Sequence, residues 1–167
     1  MSVVIALAVL AGCGFKPLYG ANSMTHSSAT AAQFAQVEIP PLPNEAGQTL
    51  RNMLIDELHP GGPADAYKYT LKVAIREADL DLGLQENATA TRGQVRLTAE
   101  YWLTDAENGK ILLHETVRTS TGYNILINQF GTLVSTADAR DTGLQQIADE
   151  MTLHLAIYFR TEPKSKT

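Results

Sequence analysis

Few residues in this chain could do covalent chemistry. Cys13 is the only cysteine, and it stands directly after Leu10-Ala11-Gly12 at the end of the apolar run Val3 to Leu10. A run of about eight residues is too short for a bilayer, which a helix spans with roughly 20. It does suit the core of a secretory signal, with small residues ahead of the cut. With no second thiol, no disulfide can close within the chain, and a secreted domain of this sequence must stand on packing alone. The four histidines, His26, His59, His114 and His154, show no i,i+3 or i,i+4 pairing. There is no H-E-x-x-H, no G-x-S-x-G, no phosphate loop and no dinucleotide fingerprint. Asp79, Asp81 and Glu86 cluster in sequence but lack the glycine and closing glutamate of a calcium loop. The expectation is a protein that is not an enzyme and has neither metal nor cofactor.

A second set of residues points to binding. Lys68, Lys72, Arg76, Arg96 and Arg118 all fall on the polar side of alternating segments, with Glu100 the main acidic residue among them. Arginine offers a bidentate fork and lysine a point charge, so a stripe of this kind fits phosphate groups. Lysine and arginine also serve simply to blunt exposed strands against edge pairing. Trp102 shares that polar side, and an exposed tryptophan is a frequent binding hot spot. Arg92, just before the second alternating segment, is a further candidate.

The elements that would carry these residues are legible from periodicity. Asn44 is a good N-cap, and Leu50, Met53, Leu54 and Leu58 recur at helical spacing until Pro60-Gly61-Gly62-Pro63, which predicts a helix over 45–59. Tyr67, Tyr69, Leu71, Val73 and Ile75 alternate with Lys68, Thr70, Lys72, Ala74 and Arg76. Val95, Leu97, Ala99, Tyr101 and Leu103 repeat the pattern. Both read as strands with one apolar face. Asn108-Gly109 predicts a hairpin back into a third strand over 111–119. Residues 80–91 read as a polar connection or an extended hairpin tip, and 121–132 is ambiguous. Leu144, Ile147, Ala148, Met151, Leu155 and Tyr158 form an apolar stripe, predicting a last helix capped by Ser135 or Thr136 and running to about Phe159. Val37-Glu38-Ile39 is a short strand stopped by Pro40-Pro41.

The expected fold class is therefore α+β, with two amphipathic helices packed on one face of a mostly antiparallel sheet of about four strands. Residues 1–12 read as a signal peptide, 13–36 as a modified N-terminus and flexible tether, 37–162 as one domain, and 163–167 as a disordered tail. Removal of residues 1–12 leaves enough chain for one core. The net charge is −5, with 18 Asp and Glu against 13 Lys and Arg. That balance argues against nucleic acid as a partner of the whole molecule.

Two resemblances add to this reading. Leu10-Ala11-Gly12-Cys13 resembles the lipobox of bacterial lipoproteins, which implies that Cys13 is acylated and anchors the protein to a membrane. Gly14 stands where an aspartate would favour the inner membrane, which implies the outer membrane. Gly12-Cys13-Gly14-Phe15-Lys16-Pro17-Leu18-Tyr19-Gly20 looks like the mature start of the lipopolysaccharide-assembly lipoproteins, and Gly47-Gln48-Thr49-Leu50-Arg51-Asn52-Met53-Leu54 is similar to the opening of that family's first helix. The family implies a lipid-anchored plug for an outer-membrane β-barrel that delivers lipopolysaccharide to the cell surface, with lipopolysaccharide itself as ligand. On that implication Lys72, Arg76, Arg92 and Arg96 are the candidates for lipopolysaccharide contact, and Lys68, Trp102 and Arg118 for partner contact. The alternative is a scaffold or pilotin of another envelope machine.

Overall fold

Alternation and helical stripes meet around one sheet in the computed structural model, which describes residues 28–84, 90–126 and 128–161. The elements are α1 (Ser28–Phe34), β1 (Val37–Glu38), α2 (Asn44–Leu58), β2 (Tyr69–Leu84), β3 (Ala90–Asp105), β4 (Ile111–Asn124) and α3 (Gln129–Thr161). The sheet order is β1-β2-β3-β4. β1 pairs parallel with β2, Val37 opposite Tyr69, while β2–β3 and β3–β4 are antiparallel. The parallel pair needs a crossover, and α2 supplies it. This is the α+β architecture expected, with a sheet that is mostly antiparallel.

The alternating residues take their expected sides. Leu71, Val95, Leu97, Ala99, Tyr101, Leu103 and Val117 are buried. Against them lie Leu50, Leu54 and Leu58 of α2 and Leu144, Ile147, Met151 and Leu155 of α3, all buried in the same cluster. The residues between them in the strands, Lys72, Ala74, Arg76, Arg96 and Arg118, are exposed. The sheet is thus covered on one face and open on the other.

Asn44 begins α2 as expected. Its side-chain oxygen accepts from the Gly47 amide at 2.9 Å, and its φ of 60° is a left-handed conformation that asparagine tolerates. The Asn108-Gly109 turn forms where the dipeptide predicts it, with Gly109 at φ 70° and its amide on the Asp105 carbonyl at 2.9 Å.

Three expectations need revision. First, part of the segment read as tether is folded: α1 covers Ser28–Phe34, and Phe34 is 1% exposed. The Phe34 ring meets Phe159 edge-on at 5.9 Å. One aromatic in an otherwise polar stretch leaves no periodicity to read, yet it is large enough to pin a short helix. Second, α3 begins at Gln129, not at Ser135. Asn128 caps it, accepting from the Phe130 amide at 3.0 Å, while the Thr136 hydroxyl donates to the Thr132 carbonyl within the helix. Third, β2 and β3 run past the expected strands, to Leu84 and from Ala90, so strand extends at both ends of the 80–91 segment, the extended-hairpin alternative of the two expected; residues 85–89 between them lie outside the described residues. Cys13, residues 1–12 read as a signal peptide, the Asp81 side chain, Glu86 and residues 163–167 read as a tail lie outside the described residues.

Candidate functional site

The open face of the sheet is built by register. Side chains directly opposite one another in antiparallel strands share a face, so each pairing places a row across β2, β3 and β4. One row is Lys72, Trp102 and His114; the next is Ala74, Glu100 and Thr116. Then come Arg76, Thr98 and Arg118, followed by Ala78, Arg96 and Ser120. Farther along, Arg92 stands opposite Leu82 on one side and Asn124 on the other. With strands about 4.8 Å apart, Arg76 and Arg118 are about 10 Å apart at the backbone, and Arg96 sits one row on between them.

The structure therefore brings Lys72, Arg76, Arg96 and Arg118 onto one exposed surface, with Arg92 at its end beside the hairpin. Its carboxylates are few. Glu100 is taken up by His114, whose Nε2 lies 2.9 Å from its Oε1. Glu38, at the far corner, accepts from the Thr70 hydroxyl at 3.4 Å. None of the four grouped cations has a carboxylate within ion-pair distance among the described residues. Polar Thr98, Thr116 and Ser120 lie between them and add hydroxyl donors.

Trp102 is half-buried on the same surface and stacks on His114, ring centres 5.1 Å apart and 15° from parallel. His114 thereby links the indole to Glu100 and fixes the tryptophan in place. Lys68 is apart from this group. It precedes β2, its carbonyl accepts from Ala106 and its amide donates to Gln36. It lines a cleft of about 360 Å³ with Tyr67, Asp105 and Glu107.

Arg92 lines a different cleft of about 400 Å³ together with Tyr123, Asn124, Ser135, Asp138 and Thr142, between the end of β4 and the first turns of α3. The Tyr123 ring lies over Gly93, where a Cβ would come within 2.3 Å of it. Only glycine at 93 lets the ring lie flat on the strand beside Arg92.

The covered face holds polar groups that sequence periodicity does not announce. The Tyr101 hydroxyl hydrogen-bonds His154 Nδ1 at 2.8 Å. Burial, and then the charges of Glu115 and Glu150, push the phenol well above its ordinary range. Arg140 of α3 pairs with Glu77 of β2 at 2.6 Å, and the hydrogen bond to Glu77 raises the guanidinium further. Glu57 of α2 accepts from the Thr152 hydroxyl and from Gln145 of α3. Burial raises its carboxyl above the usual range, with Asp149 adding to the shift and Thr152 opposing it. These groups join helices to each other and to the sheet. Among the described residues no three His, Cys, Asp or Glu converge on a metal position, and no helix is long and apolar enough to cross a membrane.

Comparison with known proteins follows the same lines. The family model described as LptE, lipopolysaccharide-assembly, matches residues 34–156. An uncharacterized protein of Rickettsia prowazekii (strain Madrid E) is 24% identical over 160 residues, covering 94% of this chain and 95% of its own length. Among solved structures, a lipoprotein from Caulobacter crescentus superposes with a TM-score of 0.66 at 19% identity, covering 81% of this chain and 98% of that one. Lipoprotein B from Nitrosomonas europaea gives a TM-score of 0.58 at 13% identity over 75% and 84% of the two chains. A minor lipoprotein from Acinetobacter baumannii gives 0.53 at 18% identity over 78% and 94%. At these identities the structural likeness is one of fold.

Proposed function

The chain belongs to the LptE family of lipopolysaccharide-assembly lipoproteins, and on that premise we propose that it is anchored in the outer membrane through acylated Cys13, plugs and helps assemble the β-barrel lipopolysaccharide translocon, and binds lipopolysaccharide on the open face of its sheet. The observation that carries the reading is the group Lys72, Arg76, Arg96 and Arg118, exposed together with no carboxylate at ion-pair distance among the described residues, Glu100 on the same face being held by His114. The anionic phosphates of lipid A would meet guanidinium forks there, and the threonine and serine hydroxyls between them suit sugar oxygens. Arg92 extends the cationic line to the hairpin end. Trp102, held by His114, offers an aromatic edge for either a sugar or a partner chain, and Lys68 marks the opposite end of the surface. A polar barrel lumen accommodates a polar sheet face of this kind.

The test is direct titration of the purified full chain with lipopolysaccharide, comparing the natural sequence with the variant carrying Lys72, Arg76, Arg92 and Arg96 all changed to alanine. All four are exposed, so the fold should be retained. The proposal expects at least a tenfold loss of affinity; an unchanged affinity removes the face as the ligand site. Affinity purification of a C-terminally tagged chain from detergent-solubilised outer membrane tests the partner. A large β-barrel in stoichiometric amount is expected, and its absence would reassign the protein to another envelope machine.

A further inference from the structure

One carboxylate stands in the middle of the cations on the open face. Glu100 pairs across the sheet with Ala74 of β2 and Thr116 of β4. Its diagonal neighbours on that face are Lys72 and Arg76 on β2, and His114 and Arg118 on β4. Diagonal neighbours in antiparallel strands lie about 7–8 Å apart, within reach of long side chains. Glu100 is thus ringed by four basic residues. The residues directly opposite leave it room to swing, because Ala74 is exposed and ends at its Cβ, and Thr116 is short.

It pairs with one of the four. His114 Nε2 lies 2.9 Å from Glu100 Oε1, and because a carboxylate only accepts, the Nε2 carries the hydrogen. Among the described residues no ion pair joins Glu100 to Lys72, Arg76 or Arg118, all three of which are exposed. The partner taken is the one basic neighbour that is not a permanent cation. The imidazole is also braced. Trp102, beside it in the same row, stacks on it with ring centres 5.1 Å apart and 15° from parallel, which sets the plane in which Nε2 meets the carboxylate. An exposed pair of this kind adds little to stability. Its effect is on the face, where it keeps the one central carboxylate to the β4 side.

We infer that His114, braced by Trp102, is a positioning residue that holds the Glu100 carboxylate off Lys72, Arg76 and Arg118, so that these three can take the phosphate groups of a ligand. Without the imidazole, the neighbours left to Glu100 are the permanent cations. A carboxylate paired with them occupies the same guanidinium forks that a phosphate needs. Glu100 then acts as a resident competitor on its own face. The inference rests on the reading of this face as a lipopolysaccharide-binding surface, but the place that Glu100 takes can be read with no ligand present.

The experiment compares the natural full chain with His114→Ala, Glu100→Gln and the variant carrying both changes. The two side chains are 49% and 37% exposed, so all forms should fold alike by circular dichroism. In titrations with lipopolysaccharide, His114→Ala should lose about threefold to fivefold in affinity, the range of an exposed charge pair, and the double variant should return to the natural value. Glu100→Gln alone should bind at least as well as the natural chain. An unchanged affinity in His114→Ala overturns the inference. So does a loss that Glu100→Gln fails to restore, because His114 would then be touching the ligand itself. With no ligand added, the side-chain N–H magnetic resonance signals of Lys72, Arg76 and Arg118 are compared across the same set. At least one should shift in His114→Ala and return in the double variant; if all three stay in place, the inference falls whatever the titration gives. A natural chain that takes up no lipopolysaccharide would sink the proposed ligand, while the resonance comparison still decides where Glu100 goes.

Discussion

Glu57 shows how a single carboxylate couples the two helices to pH. Its folded-state pKa is raised above 4.5, first by burial, so the folded protein holds a proton there more tightly than the unfolded chain does. The resulting stabilisation is full below the ordinary carboxylate range and is lost as pH rises through the raised value. Replacing Glu57 by Gln keeps an acceptor for Thr152 and removes the titration. The melting temperature of Glu57→Gln, followed by circular dichroism, should fall less than that of the natural protein as pH climbs from 4 to 7. Parallel curves would show that Glu57 does not couple the helices to pH. At the same scale, Tyr101→Phe removes the hydroxyl and leaves His154 Nδ1 without its partner. A loss of about 1 kcal/mol in urea unfolding is expected. Alternation alone identifies Tyr101 as inward-facing. Its bond to His154, 53 positions away, follows only from the docking of α3, which no local pattern encodes.

At the scale of elements, what was legible depended on periodicity. The inward set of β3, Val95 to Leu103, follows from strict alternation, and the leucines of α2 follow from helical spacing, because burial on one face leaves that trace in the residue types. The outer turns of α3 and the ends of β2 and β3 extend beyond the shared core. The residues of those α3 turns are not sorted by burial, so periodicity does not mark where the helix starts. Gly143 shows what the stripe alone conceals. A Cβ there would lie 2.9 Å from Leu97 Cδ1 and 3.2 Å from the hydroxyls of Thr119 and Thr121, while the Thr119 hydroxyl donates to the Gly143 carbonyl at 3.3 Å. The helix backbone rests on the sheet at this point. Gly143→Leu should wedge α3 off β3 and β4 at a cost of about 2 kcal/mol, measurable by denaturant titration. An unchanged midpoint would mean that the helix can slide without loss.

For the whole molecule, the open basic face creates a conflict of charge that salt can expose. The net charge is −5, so at long range the protein repels an anionic ligand. Attraction has to come from the local group of Lys72, Arg76, Arg96 and Arg118, which spans about 10 Å across the strands and about 20 Å along them. The screening length is about 30 Å at 0.01 M salt and about 10 Å at 0.1 M. Going from the first to the second mostly removes the repulsion of the distant carboxylates and leaves the local contacts in place. Going on to 1 M, where the length is about 3 Å, screens the contacts themselves. The sequence told that the cations share a side, since parity along each strand is enough for that, but not that they converge across strands, which depends on the register of β2 on β3 and β3 on β4. Convergence predicts the form of the salt dependence. Lipopolysaccharide affinity should change little, or rise, up to about 0.1 M and then fall steeply, whereas scattered single cations on an acidic protein would give only weak binding across the series. Titration of the full chain at 0.01, 0.1 and 1 M salt separates the two, and a flat profile would show that recognition rests on apolar contact with the acyl chains instead of on the sheet face.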